Sequence, residues 1–392
     1  MTSPNSVLIV GAGIFGVTAA QALNARGLNV TLIDPGPIPH PLASSTDITK
    51  MIRMDYGTDD FYFDMMTAAF EGWDRWNAAW GENLYHEDGF LLMKRDAMTE
   101  GTFEMECFDR LTARGHNPQR IDSAALATDH PKWNPDAYAD GYLNLRAGWA
   151  ESGNVVARIA AALAPAGVNV REGVTFARVI EENGRVVGVE TTADEIFNAD
   201  VVVMATGAWT PKLFPELSEV MWSVGLPVMH FLPDDLDNYR PPHFRPWSAD
   251  ISETGYYGFP VDATGVVKIA NHGAGVPIDP VSDPRELPTG TEDKFREFIA
   301  HTFPSLADAP LVKTRLCLYC DTFDGDFWID HDPNRPGLVI AAGGNGHGFK
   351  FAPVLGDLIA DVVQRKPNPY AHRFVWRKRT GEIRTEDARA HG

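Results

Sequence analysis

Two glycine-rich crossings from strand to helix, one near each end of the chain, restrict the fold more than any other feature. The first begins with Val7–Leu8–Ile9–Val10, an apolar run of buried-strand length, and continues through Gly11–Ala12–Gly13–Ile14–Phe15–Gly16 into a helix-like stretch ending near Arg26. A second strand, Asn29–Ile33, follows and closes on Asp34. Glycine permits the tight turn, the approach of backbone to a bound group and close helix–strand packing, and a helix N-terminus aims N–H groups at negative charge. This is the βαβ unit that holds a nucleotide, with Asp34 placed to accept from a ribose hydroxyl. The second crossing runs from Leu338–Val339–Ile340–Ala341–Ala342 through Gly343–Gly344–Asn345–Gly346–His347–Gly348–Phe349–Lys350–Phe351 into the helix-like Val354–Asp361. Two such hinges predict an elongated cofactor gripped from both sides, and FAD fits that description.

At 392 residues the chain exceeds one simple core, and two domains are expected. The apolar fraction of 44% is ordinary for a globular protein. A formal charge of −19 leaves no basic stripe to neutralise phosphates, which argues against a nucleic-acid partner. No apolar run reaches ~18 residues, so no membrane span is expected. The first strand starts within a few residues of Met1, leaving no room for a secretory signal, and Arg389–Ala390–His391–Gly392 is not a Ser-Lys-Leu type address. Cys107, Cys317 and Cys320 do not make a disulfide framework and fit a reducing compartment, so the expected location is cytoplasmic. No metal site is predicted.

Residues 55–145 read as aromatic-rich and helix-like, notably Phe61–Trp80, whose Trp73, Trp76 and Trp80 are spaced as a core stripe. A helix over Gly153–Leu163 leads into short strands, Val168–Arg171, Val174–Glu182 and Val186–Thr192, with Asn183–Gly184 as a hairpin signal. Ala199–Trp209 reads as a buried strand ending in a small-residue turn, and residues 216–314 as an antiparallel unit containing strands Tyr256–Pro260 and Val266–Asn271. The expected class is therefore α/β (α+β overall), a Rossmann-like FAD-binding domain interleaved with a second domain on a mostly antiparallel sheet. Residues 1–84, 146–215 and 315–375 are assigned to the first, 85–145 and 216–314 to the second, and 376–392 to a C-terminal tail. Pocket residues that set side-chain preference are expected in 216–260 and 85–145.

Five further motifs occur in order along the chain: Ser44–Ser45–Thr46–Asp47–Ile48–Thr49–Lys50–Met51–Ile52–Arg53; Tyr256–Tyr257–Gly258–Phe259–Pro260; Lys268 with His272; Arg315–Leu316–Cys317–Leu318–Tyr319; and Gly346–His347–Gly348–Phe349–Lys350–Phe351. Together with the N-terminal glycines, they resemble the glycine/D-amino-acid oxidase family of flavoproteins, most closely its sarcosine oxidase and fructosyl-amino-acid oxidase branch. The resemblance covers nearly the whole chain. It implies extended FAD and oxidation of a C–N bond in an amine or amino acid.

Residue by residue, the resemblance implies a substrate-carboxylate clamp at Lys350 and Arg53, where fixed cations suit a carboxylate. It implies thioether attachment of the flavin to Cys317, with Cys320 a packing residue. Lys268 matches the lysine that promotes reaction of reduced flavin with oxygen, where a cation stabilises superoxide-like charge. His272, Tyr257 and Tyr319 match residues lining the substrate pocket. Thr206 and Gly207 resemble an Ala-Thr-Gly turn beside the flavin and ribityl chain, Val174 matches a backbone contact to adenine, and Ser44, Ser45 and Thr46 suit the pyrophosphate. Gly344, Gly346, His347, Gly348 and Phe349 belong to the second cofactor hinge.

Two departures bear on substrate. Lys50 stands where sarcosine oxidases carry a stacked arginine, and with Asp47 and Thr49 it resembles the fructosyl-amino-acid oxidase pattern. His272 stands where those enzymes carry a glutamate. The expectation is an oxidase of a secondary-amine amino acid such as sarcosine or a related N-alkyl amino acid, yielding hydrogen peroxide. A fructosyl-amino-acid oxidase and a flavin amine dehydrogenase remain as alternatives. The expected partners are the small-molecule amine and oxygen, with the chain a monomer or small homo-oligomer.

Overall fold

In the computed structural model, which describes residues 4–381 and 383, Ser6–Val10 lies inside a six-stranded sheet, as its uncharged apolar run requires. The strand order is Trp328–His331, Leu338–Ala342, Val201–Met204, Ser6–Val10, Asn29–Asp34, Asn169–Glu172. All neighbours run parallel except the outermost Trp328–His331. The carboxyl ends of three strands meet in small-residue turns at Gly11, Ala205–Gly207 and Gly343, the edge at which open α/β sheets take ligands. A Cβ on Gly16 would lie 1.8 Å from the Gly11 carbonyl oxygen, so only glycine lets the helix Ile14–Ala25 start this close to the turn.

The helix Asp60–Trp80 buries the face carrying Phe63, Met66, Phe70 and Trp73. The Trp73 indole donates to the Lys350 carbonyl at 2.8 Å, which ties the second glycine hinge to the helical core. Trp76 and Trp80 continue this packing stripe.

A nine-stranded, mostly antiparallel sheet supplies the other half of the molecule. Its longest pairing sets Met221–Phe231 against Leu311–Thr322, and the expected domain boundary between 314 and 315 falls inside that second strand. From Met221–Phe231 the sheet continues through Val267–Asn271, Tyr256–Phe259, Trp247–Ala249, Phe90–Lys94 and Asp140–Asn144. Side chains alternate along each strand, so directly paired residues share a face. Leu226 pairs Cys317, Tyr257 pairs Ala270 and Ser248, Ser248 pairs Leu92, and Leu92 pairs Tyr142; these all lie on one face. The opposite face carries Met229, Phe231, Ile269 and Trp247 into a separate apolar core with Phe298 and Phe303.

The interleaved α/β architecture is the one expected. The helix-like reading of 55–145 holds for Asp60–Trp80 but not for Phe90–Lys94 or Asp140–Asn144, which are strands. Both are buried along their whole length: Phe90–Lys94 is a nearly continuous apolar run with no period by which to tell strand from helix, and Asp140–Asn144 is too short to show one. The buried strand expected within Ala199–Trp209 is Val201–Met204, and the small-residue turn expected at its end follows at Ala205–Gly207, at the cavity. Asn183 and Gly184 take positive φ (50° and 73°), the two-residue hairpin turn expected. The tail begins with Trp376 and Arg377, which are held by Asp330 and Asp324. Residue 382 and residues 384–392, including the expected non-address Arg389–Gly392, lie outside the described residues. Among those described, no helix is long and apolar enough to cross a membrane.

Candidate active site

A cavity of about 490 Å³ opens at the carboxyl edge of the parallel sheet. Both glycine hinges border it, through Gly11, Gly13, Ile14 and Phe15 on one side and Gly344, Gly346, Gly348 and Phe349 on the other. Asp34 lies in its wall, accepting from the Ala12 N–H at 2.8 Å and the Gly36 N–H at 3.0 Å. Burial raises the Asp34 carboxyl above its ordinary value, against the pull of those two amides. Each carboxylate oxygen keeps a further lone pair for a ribose hydroxyl. Ser44, Ser45, Thr206 and Gly207 also line the cavity, and Ser45 Oγ accepts from the Ile14 N–H at 3.2 Å. The residue at the start of the Ile14–Ala25 helix, Gly13, has no side chain to cap it, as suits a terminus that faces an anion. A long apolar-walled cavity with two backbone hinges and a ribose-reading acid fits FAD.

A second pocket of about 70 Å³ adjoins the first, and Lys50, Tyr319, Gly346 and Phe349 border both. Its polar lining includes Arg53, Lys350, His272 and Tyr257. Phe90, Leu92, Phe103 and Ile251 are its apolar lining, and Ser248 also borders it. The Lys350 ammonium lies 4.8 Å above the Tyr56 ring and its residue is only 4% exposed. Arg53 donates to the Asp55 carbonyl and lies 5.7 Å from both the Tyr56 and Phe90 rings. The buried Asp55 carboxylate accepts from the Tyr142 hydroxyl at 2.6 Å and Asn144 at 3.4 Å, which fixes the turn that carries Arg53. Tyr257 and Tyr319 meet hydroxyl to hydroxyl at 3.5 Å, and the Tyr319 ring lies 5.8 Å from His272.

Gly346 turns at φ 74°, and a Cβ there would stand 2.0 Å from the Tyr319 ring. Gly346→Ala is therefore expected to destabilise the protein by about 1–3 kcal/mol, read as a lowered denaturation midpoint. An unchanged midpoint would mean the hinge moves freely.

Lys268 borders neither cavity. It stands behind Lys50, 1% exposed, with its ammonium 2.6 Å from Asp47 Oδ2, 2.7 Å from the Thr49 carbonyl and 4.7 Å from the Phe259 ring. Burial pulls the Lys268 pKa down to about 8, more than the Asp47 carboxylate lifts it. Asp47 is itself buried, yet Lys268, Lys50 and Arg315 together hold its carboxyl far below the usual range. The Lys50 ammonium lies 3.5 Å from Asp47 Oδ2 and 3.8 Å from Cys317 Sγ. Its pKa is raised: burial opposes this, but Cys317 and Asp47 outweigh it.

Cys317 is 2% exposed and borders neither cavity; its sulfur points to Lys50 on the sheet face that walls the pocket. Cys320, an odd number of positions away, points to the opposite face, its sulfur 4.0 Å from Met221 Sδ. The two thiols are free, like Cys107. Four other expected cofactor contacts are placed differently. Val174 does not line the cavity, because its N–H donates to the Asp34 carbonyl; Thr175 and Phe176 line it instead. Thr46 turns away, its carbonyl accepting from Arg315. Gly16 packs on Gly11 rather than on the cavity. His347 borders the smaller pocket, with Nδ1 2.9 Å from the Tyr56 hydroxyl. Asp47, Asp55, Tyr142 and the residues Phe90, Leu92, Phe103, Ser248 and Ile251 were not assigned from the sequence. Strand alternation could have grouped Phe90 with Leu92, but not the face on which the cavity lies.

A nucleotide-cofactor cavity joined to a small pocket lined by cations and apolar side chains defines a cofactor-dependent enzyme of small molecules. The model of the FAD-dependent oxidoreductase family matches residues 6–362, and the chain belongs to that family. Monomeric sarcosine oxidase of Bacillus sp. (strain NS-129) is 28% identical over 93% of this chain and 94% of its own length. N-methyl-L-tryptophan oxidase of Yersinia pestis (strain Pestoides F) is 26% identical over 93% and 96%. The fold is shared with fructosyl peptide oxidase from E. terrenum, at a TM-score of 0.85, 21% identity and coverage of 99% and 95% of the two chains. Amadoriase I from Aspergillus fumigatus has a TM-score of 0.82 at 24% identity, covering 96% and 90%.

Proposed function

We propose that the chain is an amine oxidase that takes two electrons from the C–N bond of a small N-substituted amino acid such as sarcosine, passes them to oxygen and releases hydrogen peroxide. The observation that carries this reading is the lining of the smaller pocket: Arg53 and Lys350 together with the hydrocarbon of Phe90, Leu92, Phe103 and Ile251, and the cofactor cavity alongside. Bound FAD would supply the electron acceptor, and the chain supplies placement and field.

In this reading Arg53 and Lys350 hold the substrate carboxylate, and the apolar wall takes the N-substituent or side chain. His272 and the Tyr257–Tyr319 pair border the amine, and an imidazole is suited to take its proton near neutral pH. Lys50 and Lys268 oppose the negative charge that collects as the C–N bond is oxidised. The Lys50 ammonium 3.8 Å from Cys317 Sγ supports a thioether tether to the flavin, since an attacking sulfur is favoured by an adjacent cation. None of the residues bordering the pocket is a carboxylate, and its volume is about 70 Å³. A fructosyl group would set its hydroxyls against Phe90, Leu92, Phe103 and Ile251, at about 1–3 kcal/mol for each left unpaired.

The test is peroxide release from sarcosine, pipecolate and fructosyl-glycine. Turnover of the first two supports the reading. Turnover of fructosyl-glycine alone supports an Amadori oxidase, and flavin bleaching without peroxide supports a dehydrogenase. Lys350→Met is expected to raise KM for the preferred amino acid about 10- to 100-fold, the loss of one charge-assisted hydrogen bond, with a smaller change in kcat. An unchanged KM would remove Lys350 from the clamp.

A further inference from the structure

His230 extends the sheet face that walls the site. It stands directly opposite Lys268 on one neighbouring strand and Lys313 on the other, so the three side chains form one cross-strand row. Lys313 is exposed, whereas His230 is 2% exposed and Lys268 1%. The register slips immediately after His230, where Phe231 pairs with Leu311, and such a bulge loosens the ladder at this point. Neither ring nitrogen of His230 has a hydrogen-bond partner among the described residues. Two unpaired buried polar atoms cost about 1–3 kcal/mol each, which a phenylalanine of similar size would avoid, so packing does not explain a histidine here.

The inference rests on the oxidase reading above. Forming hydrogen peroxide from oxygen takes two electrons and two protons, of which a bound flavin would supply both electrons and one proton. The second proton would come from the protein, and in the oxidase reading Lys268, a buried cation, gives it. The amine left behind must regain a proton from solvent, although two of its hydrogen bonds go to Asp47 and Thr49.

We propose that His230 is the relay through which Lys268 exchanges its proton with solvent, along the row Lys313–His230–Lys268. Because neither ring nitrogen is hydrogen-bonded in the resting arrangement, the ring turns on its side chain to reach the amine: a proton from solvent at the Lys313 rim bonds to one ring nitrogen, the N–H bond at the other breaks, and that released proton joins the lysine amine. The ring ends neutral in its other tautomer and returns by flipping or by the reverse passage. Lys268, Lys313, Asp47 and Asp262 are the charged groups that act on the imidazole. Burial and Lys268 hold its pKa down to about 4, so near neutrality it offers one N–H and one lone pair, the state a relay uses.

The test is exchange of the Lys268 ammonium protons with water, followed by NMR in FAD-loaded protein carrying 15N-labelled lysine, with Lys268→Met to assign the signal. His230→Phe and His230→Gln are both expected to slow exchange at least about tenfold, because neither side chain takes up and passes on a proton. Exchange that stays as in the parent protein in either variant overturns the relay; a glutamine that restores it shows a role in polarity or packing alone. Should the phenylalanine variant fail to fold, the glutamine variant decides. If exchange slows in both while the oxygen reaction is unchanged, the relay stands and the oxygen role of Lys268 falls.

Discussion

Lys268→Met is expected to slow transfer of electrons from the reduced enzyme to oxygen by about 10²–10³-fold, the scale of removing one fixed charge from a water-excluded site. Reduction by substrate is expected to change far less, because Lys268 does not border the substrate pocket. Stopped-flow absorbance of the flavin in each half-reaction separates the two. The parent protein adds a pH signature. With its pKa held down to about 8, Lys268 carries its charge below that pH and loses it above. The oxygen step is therefore expected to be fast and level below about pH 8 and to fall as pH rises through it, whereas Lys268→Met shows no such fall. Asp47 does not complicate the profile, because its carboxyl stays ionised far below this range. Equal oxygen rates in the two proteins would assign oxygen chemistry elsewhere.

Cys317→Ala is expected to abolish covalent flavin. After acid denaturation the parent protein should carry the mass of one FAD, Cys317→Ala none, and Cys320→Ala the full addition. The contrast follows from strand alternation, since the Cys317 sulfur faces Lys50, whereas Cys320, although it borders the larger cavity, turns its sulfur toward Met221. Burial also pushes the Cys320 thiol up to about 12, which keeps it protonated and unreactive. Flavin retained by Cys317→Ala after denaturation would remove the tether from this cysteine.

The Gly11–Gly16 crossing, Asp34 and the Gly343–Phe351 hinge were legible in the sequence because their demands are local. A turn that admits no Cβ and an acid at a strand end depend on a few neighbouring residues. Arg53 and Lys350 were legible through motif order, and both border the pocket. The Lys268–Asp47 pair was not, because its members are 221 positions apart and meet only when the antiparallel sheet closes over the loop before Lys50. Val174 was assigned a backbone contact to adenine, and its N–H is taken by the Asp34 carbonyl; whether a backbone N–H serves a ligand or a neighbouring strand end depends on the local turn.

The sequence by itself determined the family, the nucleotide-binding edge and the presence of cations and a thiol suited to an electron-accepting cofactor, since each of these follows from residue type and short-range spacing. The tertiary structure alone decided which face of the antiparallel sheet walls the site, and so which residues oppose the cations. It also decided how far burial lowers the charge on Lys268. Both depend on strand order and on exclusion of water, and neither is a property of any short segment.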